Sequence, residues 1–259
     1  MIRIKHGDLF EYVNNIYNDN SNFRKHMIIH QCNCKGVMGK GFAKQIKEKF
    51  PKSYKDYIDQ YKSNGLNLGD VIYSETSLTT VANICSQYNY AKLYQDKTLF
   101  TDYDAFRTCI NKCIGHCIIN NIKTILIPCY IGCGLANGDW KIICRIFSDI
   151  DYILEVNQIK CIFFSIDQDI YEVTSINIIN KIIDNYKDIL DPMALSWSFF
   201  EQFRNDIKST LIRFNLYNEK KINIDIYHTD YCFKINIIGE HTQFEFNIEY
   251  PKPVKISWD

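Results

Sequence analysis

Two glycine-rich segments constrain this chain more than any other feature, because each lies between an apolar strand candidate and a helical pattern. The first, residues 30–44, reads His-Gln-Cys-Asn-Cys-Lys-Gly-Val-Met-Gly-Lys-Gly-Phe-Ala-Lys, and the second, residues 131–140, reads Ile-Gly-Cys-Gly-Leu-Ala-Asn-Gly-Asp-Trp. Glycine lets the backbone approach a ligand closely, and the N–H groups that open a helix favour an anion. The segments therefore predict a site for a phosphate or a phosphate-bearing sugar. Plain loop geometry is the alternative, since neither the GxGxxG spacing nor a P-loop is present.

Strands alternate with helices over the first 167 residues, which predicts an α/β fold with a mostly parallel sheet. The continuous apolar run Thr124–Pro128 suits a buried parallel strand. Phe42, Ile46 and Phe50 repeat every fourth residue in a helix that Pro51 ends. In such folds, ligands bind beyond the carboxyl ends of the strands, where both glycine-rich segments lie. Further strands are predicted over residues 1–5, 27–29, 69–74, 79–85 and 160–166, and further helices begin near residues 8, 102 and 141.

The chain changes character after residue 167, and we predict two domains, residues 1–167 and 168–259. Two helices are predicted over residues 173–186 and 194–214, on either side of a Leu-Asp-Pro break. Three runs of alternating apolar residues then predict an antiparallel meander. These runs begin near residues 222, 231 and 244. The segment shows no catalytic constellation, so we expect a smaller α+β module that is accessory or binds a protein partner.

Composition excludes several classes of function. Lysine plus arginine and aspartate plus glutamate balance at 30 each, without a long basic run, so an extended nucleic-acid footprint is not expected. No signal sequence and no apolar run of about 18 residues is present, so we expect a soluble, cytoplasmic protein without membrane contact. The eleven cysteines are interpreted as reduced thiols that fill the core. A metal site is the alternative, but no CxxC pair accompanies them, and no metal is predicted.

Four motifs together resemble a known family. They are Gly7-Asp8-Leu9, the 33–43 loop, the 131–135 loop, and a last strand that ends in an aromatic residue. Residues 1 to about 167 resemble a macrodomain, a three-layer α-β-α fold with a mixed, mostly parallel sheet that binds ADP-ribose. Within that superfamily, His-Gln-Cys-Asn-Cys resembles the ADP-ribose-1''-phosphate phosphatases. The two glycine motifs resemble the branch of terminal ADP-ribose glycohydrolases and of antitoxins that remove ADP-ribose from DNA.

The resemblance implies roles for individual residues. The Asp8 carboxylate would accept a hydrogen bond from the adenine amino group, and Phe164 would stack on adenine. The backbone of residues 132–135 would bind the diphosphate, residues 39–43 would enclose the distal ribose, and Asn33 would hold its hydroxyls. No cofactor is implied. The complete expected binding set is Asp8, Leu9, Asn33, Gly39, Lys40, Gly41, Phe42, Ala43, Ile131, Gly132, Cys133, Gly134, Leu135 and Phe164.

The sequence departs from its relatives where a catalytic group is expected. Relatives that remove ADP-ribose with a lysine place it shortly after the strand that here ends near Cys85, where this chain has Ser86 and Gln87. Lys92 lies nearby but out of register. The glycohydrolase branch also has an acid directly after Gly-Cys-Gly-Leu, where this chain has Ala136.

Asp139 and His30 are the remaining catalytic candidates. A carboxylate near the distal ribose could orient a water, and a histidine exchanges protons near neutral pH. The alternatives are that Asp139 caps the following helix and that His30 is a hydrogen-bonded core residue. Two hypotheses follow. The first is a hydrolase that acts on ADP-ribose 1''-phosphate or on ADP-ribose attached to a macromolecule; the second is a non-catalytic reader of ADP-ribose that contacts a partner through residues 168–259.

Overall fold

The computed structural model describes residues 2–18, 25–76, 79–91, 96–166, 202–209, 223–228, 232–238 and 243–249. The chain divides into two compact units, Met1–Ile170 and Tyr171–Asp259. The first is called the N-terminal unit below.

A six-stranded mixed sheet forms the centre of the N-terminal unit, in the order β1-β6-β5-β2-β4-β3. All neighbouring strands in it are parallel except β3, which pairs antiparallel with β4. This sheet confirms the predicted α/β class. The strands are β1 Ile2–His6, β2 His26–Asn33, β3 Val71–Glu75, β4 Thr79–Gln87, β5 Thr124–Pro128 and β6 Lys160–Ser165. The helices are α1 Leu9–Asn18, α2 Gly41–Lys49, α3 Pro51–Asn64, α4 Tyr103–Ile119 and α5 Trp140–Val156.

Alternating side chains of the sheet pack against helices on its two faces. Phe164 belongs to a core cluster with Phe10 of α1 and Ile46 of α2. Its neighbour Phe163 faces the other way, and its ring packs edge-on against Phe147 of α5 at 4.8 Å between centroids. Successive residues of a strand point to opposite faces, so this alternation produces the predicted layers of helix, sheet and helix.

Helix α3 is absent from the sequence-based prediction. Pro51 does end α2, as predicted, but it also occupies the first turn of α3. Proline is tolerated there, because the first N–H groups of a helix have no intrahelical partner. Only Ser53 and Tyr57 of α3 are buried, but Tyr54, Tyr57, Ile58 and Tyr61 recur at the spacing of one helix face. The sequence therefore carried a signal for α3 that the prediction missed.

The described residues of the second unit include a three-stranded antiparallel sheet with the order β7-β8-β9. Its strands are β7 Asn223–His228, β8 Cys232–Ile238 and β9 Gln243–Glu249. Residues 202–209 are helical. The predicted helix at 173–186 and the rest of the one at 194–214 lie outside the described residues.

The described residues contain neither a membrane-spanning helix nor a cluster of metal ligands. None of their helices has the length and apolar character needed to cross a membrane. No group of three or more histidine, cysteine, aspartate or glutamate side chains among them is arranged to hold a metal ion. The cysteines of the N-terminal unit are free thiols, most of them buried.

Candidate functional site

A cavity of about 600 Å³ lies at the carboxyl ends of three neighbouring strands. Its lining includes Asn33, Gln87 and Pro128, the last residues of β2, β4 and β5. Both glycine-rich segments contribute to it, which agrees with the expected place of a ligand in an open α/β sheet. The predicted site residues that line it are His30, Asn33, Gly39, Lys40, Gly41, Phe42, Ala43, Ile131, Gly132, Gly134 and Leu135.

The first glycine-rich segment is held by the side chain of Asn33. Its amide nitrogen donates to the Val37 carbonyl at 2.7 Å, and its amide oxygen accepts from the Lys35 N–H at 2.9 Å. The Tyr57 hydroxyl donates to the Asn33 carbonyl at 2.6 Å. Asn33 thus lines the cavity and also shapes the loop, a second role that the sequence did not predict.

The first glycine-rich segment leads into the N-terminus of α2, whose first residues line the cavity. Gly41 has a left-handed backbone with φ of 58°, and no side chain caps the helix at Lys40. The first N–H groups of a helix have no partner within it, and their partial positive charge favours an anion. Gly41, Phe42 and Ala43, which carry these groups, all line the cavity.

The second glycine-rich segment depends on Gly132, whose φ is 76°. A Cβ atom there would lie 2.6 Å from Oε1 of Gln31, so any other residue would strain the backbone and displace the Gln31 amide. The Gly132 carbonyl accepts hydrogen bonds from the Thr101 hydroxyl at 2.7 Å and from the Gly138 N–H at 2.9 Å. The carbonyl is therefore fixed from two sides.

A polar network behind this segment was not predicted. Gln87 lines the cavity where the resemblance led us to expect a lysine, and its amide oxygen accepts from Gln31 Nε2 at 2.8 Å. Its amide nitrogen donates to the Asn89 carbonyl at 2.9 Å. Ser86 donates to Gln31 Oε1 at 2.9 Å. The only sequence signal for this network was a group of polar residues at strand ends.

The cavity favours anions electrostatically. Among the described residues that line it, Lys40 has the only formally charged side chain, and none is acidic. Burial raises the pKa of the Cys129 and Cys133 thiols. Both thiols are therefore protonated at neutral pH, which argues against a cysteine nucleophile.

The family model for the macro domain matches residues 29–147. This range begins in β2, ends in α5 and contains both glycine-rich segments. The N-terminal unit is a macrodomain. Its mixed sheet flanked by helices agrees with that assignment.

Solved structures and a curated relative resemble the chain over different lengths. A protein of unknown function from Bacteroides thetaiotaomicron has a TM-score of 0.52 and 24% identity, over 64% of this chain and 98% of that one. A second structure from the same organism has a TM-score of 0.51 and 25% identity, over 64% of this chain and all of that one. The ADP-ribose 1''-phosphate phosphatase of Saccharomyces cerevisiae is 43% identical over 42 residues, 16% of this chain and 24% of the yeast protein.

His30 lies in the wall of the macrodomain cavity with 1% of its surface exposed. Its Nε2 atom is 2.6 Å from Oδ1 of Asn83. Because an amide oxygen only accepts, Nε2 must carry the proton. Burial lowers the pKa of His30 to about 4. The ring is therefore neutral at pH 7 and is a poor proton donor there.

This pKa predicts a loss of stability in mild acid. The unfolded chain binds a proton at His30 below its ordinary pKa of about 6.5, whereas the folded protein resists protonation until about pH 4. The contribution of His30 to the free energy of unfolding is fully present above pH 6.5 and is lost as the pH drops toward 4. We expect His30 to account for a loss of about 2 kcal/mol between pH 7.5 and 5. Urea unfolding of the wild type should show this loss; His30→Gln, which retains an N–H donor, should reduce it. Equal losses in both proteins would contradict the assignment.

Asp139 lies outside the lining of the cavity and caps α5. Its Oδ1 atom accepts from the Lys141 N–H at 2.8 Å, and its own N–H donates to the Tyr103 hydroxyl at 2.7 Å. This is the alternative that the sequence left open for Asp139, and it places the carboxylate on the exposed side of the second glycine-rich segment.

Four expected binding residues also lie outside the cavity lining: Asp8, Leu9, Cys133 and Phe164. Asp8 caps α1, since its Oδ1 atom accepts from the N–H groups of Phe10 and Glu11 at 2.7 and 2.9 Å. Phe164 is 4% exposed, and its ring packs 5.0 Å from that of Tyr12. The pleat of β6 turns Phe164 into the core under α1, so the proposed stacking on adenine has no support from its position.

Proposed function

We propose that the macrodomain binds ADP-ribose, either free or attached to a macromolecule, in the cavity of about 600 Å³. The observation that carries this proposal is that both glycine-rich segments line one cavity without an acidic side chain. Two sets of main-chain N–H groups can bind phosphates without many lysines. The proposal therefore also accounts for the neutral net charge of the chain.

The geometry supports one orientation of the ligand. The main chain of residues 132–135 would bind the diphosphate, because Gly132 and Gly134 allow close approach and their neighbour Leu135 also lines the cavity. The distal ribose would lie against Asn33 and residues 39–43, at the start of α2. In this orientation, a substituent on the distal ribose would reach the N-terminus of α2.

A carboxylate introduced at Gly39 tests the proposal. Gly39 lines the cavity, and a Cβ atom there would meet nothing closer than Val37 Cγ1 at 3.9 Å. Gly39→Glu should bind ADP-ribose about fivefold more weakly than Gly39→Gln, since repulsion of a diphosphate across the cavity mouth is worth roughly 1 kcal/mol. The difference should shrink as salt is added. Calorimetric titration of both variants and the wild type measures it.

Each contrary outcome has a definite meaning. If the wild type does not bind ADP-ribose, the proposed function is wrong. If it binds but Gly39→Glu and Gly39→Gln have the same affinity at low salt, the ligand lies elsewhere on the macrodomain.

A second candidate is hydrolysis of ADP-ribose 1''-phosphate. It is favoured by the 42-residue match to the yeast phosphatase of that name and by the α2 N-terminus, which would receive the terminal phosphate. Asp139 and His30 remain the proposed catalytic residues, although one caps α5 outside the lining and the other is neutral at pH 7. Release of inorganic phosphate from this substrate decides between the candidates. Binding without turnover would favour a reader whose residues 168–259 contact a protein partner.

A further inference from the structure

Residues 96–103, called the bracing segment below, hold the second glycine-rich segment from outside the cavity. Asn137 Nδ2 donates to the carbonyls of Asp96 and Thr98, both at 2.8 Å. The N–H groups of Phe100 and Thr101 donate to the Ala136 carbonyl at 2.9 and 3.1 Å. Among the residues that the structure describes, none of the bracing segment lines the cavity. These contacts therefore act on the shape of the segment and not on a ligand directly.

Thr101 is the buried centre of this contact, with 3% of its surface exposed. Its hydroxyl donates to the Gly132 carbonyl at 2.7 Å and accepts from Gln31 Nε2 at 3.1 Å. Gln31 is itself oriented, because it donates to Gln87 and accepts from Ser86. With Gln31 as donor, the hydroxyl proton is left to point at Gly132.

Fixing the Gly132 carbonyl also fixes the turn that follows it. A Cβ atom at Gly138 would lie 2.6 Å from the Gly132 carbonyl oxygen and 3.0 Å from the Thr101 hydroxyl. The three groups are thus packed without spare room. The main chain of Gly134 and Leu135, which lines the cavity, lies between these fixed points.

We propose that Thr101 is a positioning residue for phosphate binding. Its hydroxyl, oriented by Gln31, holds the second glycine-rich segment in the conformation in which its N–H groups bind the diphosphate. The inference rests on the proposed function. Preorganised donors bind an anion more tightly than mobile ones, because the ordering entropy is lost before the ligand arrives.

The test compares Thr101→Val, which keeps the shape but lacks the hydroxyl, with Thr101→Ser, which keeps the hydroxyl. Thr101→Val should bind ADP-ribose about fivefold more weakly than the wild type, and Thr101→Ser should stay within about twofold. Asn137→Gly is a second variant in case Thr101→Val does not fold. Glycine suits the left-handed backbone of Asn137, whose φ is 53°. The substitution removes the two hydrogen bonds from the Asn137 side chain to the carbonyls of Asp96 and Thr98. It should weaken binding about threefold.

Amide hydrogen exchange in the ligand-free protein gives a separate readout. The Gly138 N–H donates to the same Gly132 carbonyl, so it should exchange about tenfold faster in Thr101→Val but not in Thr101→Ser. Wild-type affinity in both Thr101→Val and Asn137→Gly would overturn the inference while leaving the proposed function intact. Unchanged exchange at Gly138 would overturn it as well. Absence of ADP-ribose binding by the wild type would instead overturn the proposed function, and the phosphate role of Thr101 with it.

Discussion

Replacing Gly132 with alanine is expected to weaken ADP-ribose binding at least thirtyfold. The left-handed backbone at this position, with φ of 76°, strains an L-residue by roughly 1–2 kcal/mol. The new Cβ atom would also lie 2.6 Å from Oε1 of Gln31. Gln31 cannot yield easily, because Ser86, Gln87 and Thr101 hold its amide. The second glycine-rich segment must therefore move, and the donors for the diphosphate move with it.

Gly115→Ala is the matched control for this prediction. Gly115 lies within α4 outside the cavity lining, and a Cβ atom there would meet nothing within 4 Å. Alanine also favours a helix over glycine by roughly 1 kcal/mol. Calorimetric titration should give wild-type affinity for Gly115→Ala and little or no heat for Gly132→Ala. An affinity of Gly132→Ala within threefold of the wild type would show that this segment does not bind the diphosphate.

The sequence was sufficient to predict the parallel strands of the sheet and the position of the cavity at their carboxyl ends. The apolar run Thr124–Pro128 is β5 with the same bounds, because a strand buried on both faces leaves a continuous apolar signal. Loops at the carboxyl ends of neighbouring parallel strands meet at one edge of the sheet. The position of both glycine-rich segments after strands therefore predicted that they would share a site.

Side-chain roles were harder to predict, because they depend on partners distant in sequence. His30 is paired with Asn83, 53 residues away, and Gln31 with Thr101, 70 residues away. No local pattern records such pairs. Asp139 shows the opposite case: capping is a local interaction with the N–H groups of the next turn, and the sequence did offer it as an alternative.

The roles carried over from relatives depended on details that a motif does not contain. Phe164 is the second-last residue of β6, close to the position that the resemblance implies, but the direction of its side chain follows from the pleat of β6. Phe163 faces α5 and Phe164 faces α1. A shift of one residue exchanges the two faces of a strand, so an aromatic residue at a strand end is weak evidence for a stacking role.

The largest expected effect on stability belongs to Asn83→Ala, which should lower the free energy of unfolding by about 4 kcal/mol. Asn83 has no exposed surface and is the centre of a buried polar cluster. Its Oδ1 atom accepts from His30 Nε2 at 2.6 Å and from the Ser53 hydroxyl at 2.9 Å, and its Nδ2 atom donates to the Ile72 carbonyl at 3.2 Å. Alanine would leave the buried groups of His30 and Ser53 and the half-buried Ile72 carbonyl without that hydrogen bond, and it would also leave a cavity. Urea unfolding of the full chain at pH 7.5 measures the loss.

Asn83→Asp separates hydrogen bonding from packing, because it preserves the volume and the acceptor for His30 and Ser53. It replaces the donor to Ile72 with an oxygen and buries a carboxyl group, so at pH 7.5 we expect a loss as large as that of Asn83→Ala. It should also reverse the pH dependence. A carboxylate beside the ring favours the imidazolium and raises the pKa of His30, so stability would be gained as the pH falls from 7.5 toward 6, where the wild type begins to lose it. If the free energy of unfolding of Asn83→Ala lies within about 1 kcal/mol of the wild-type value, water must replace the amide. The cluster around His30 would then be accessible to solvent from the cavity.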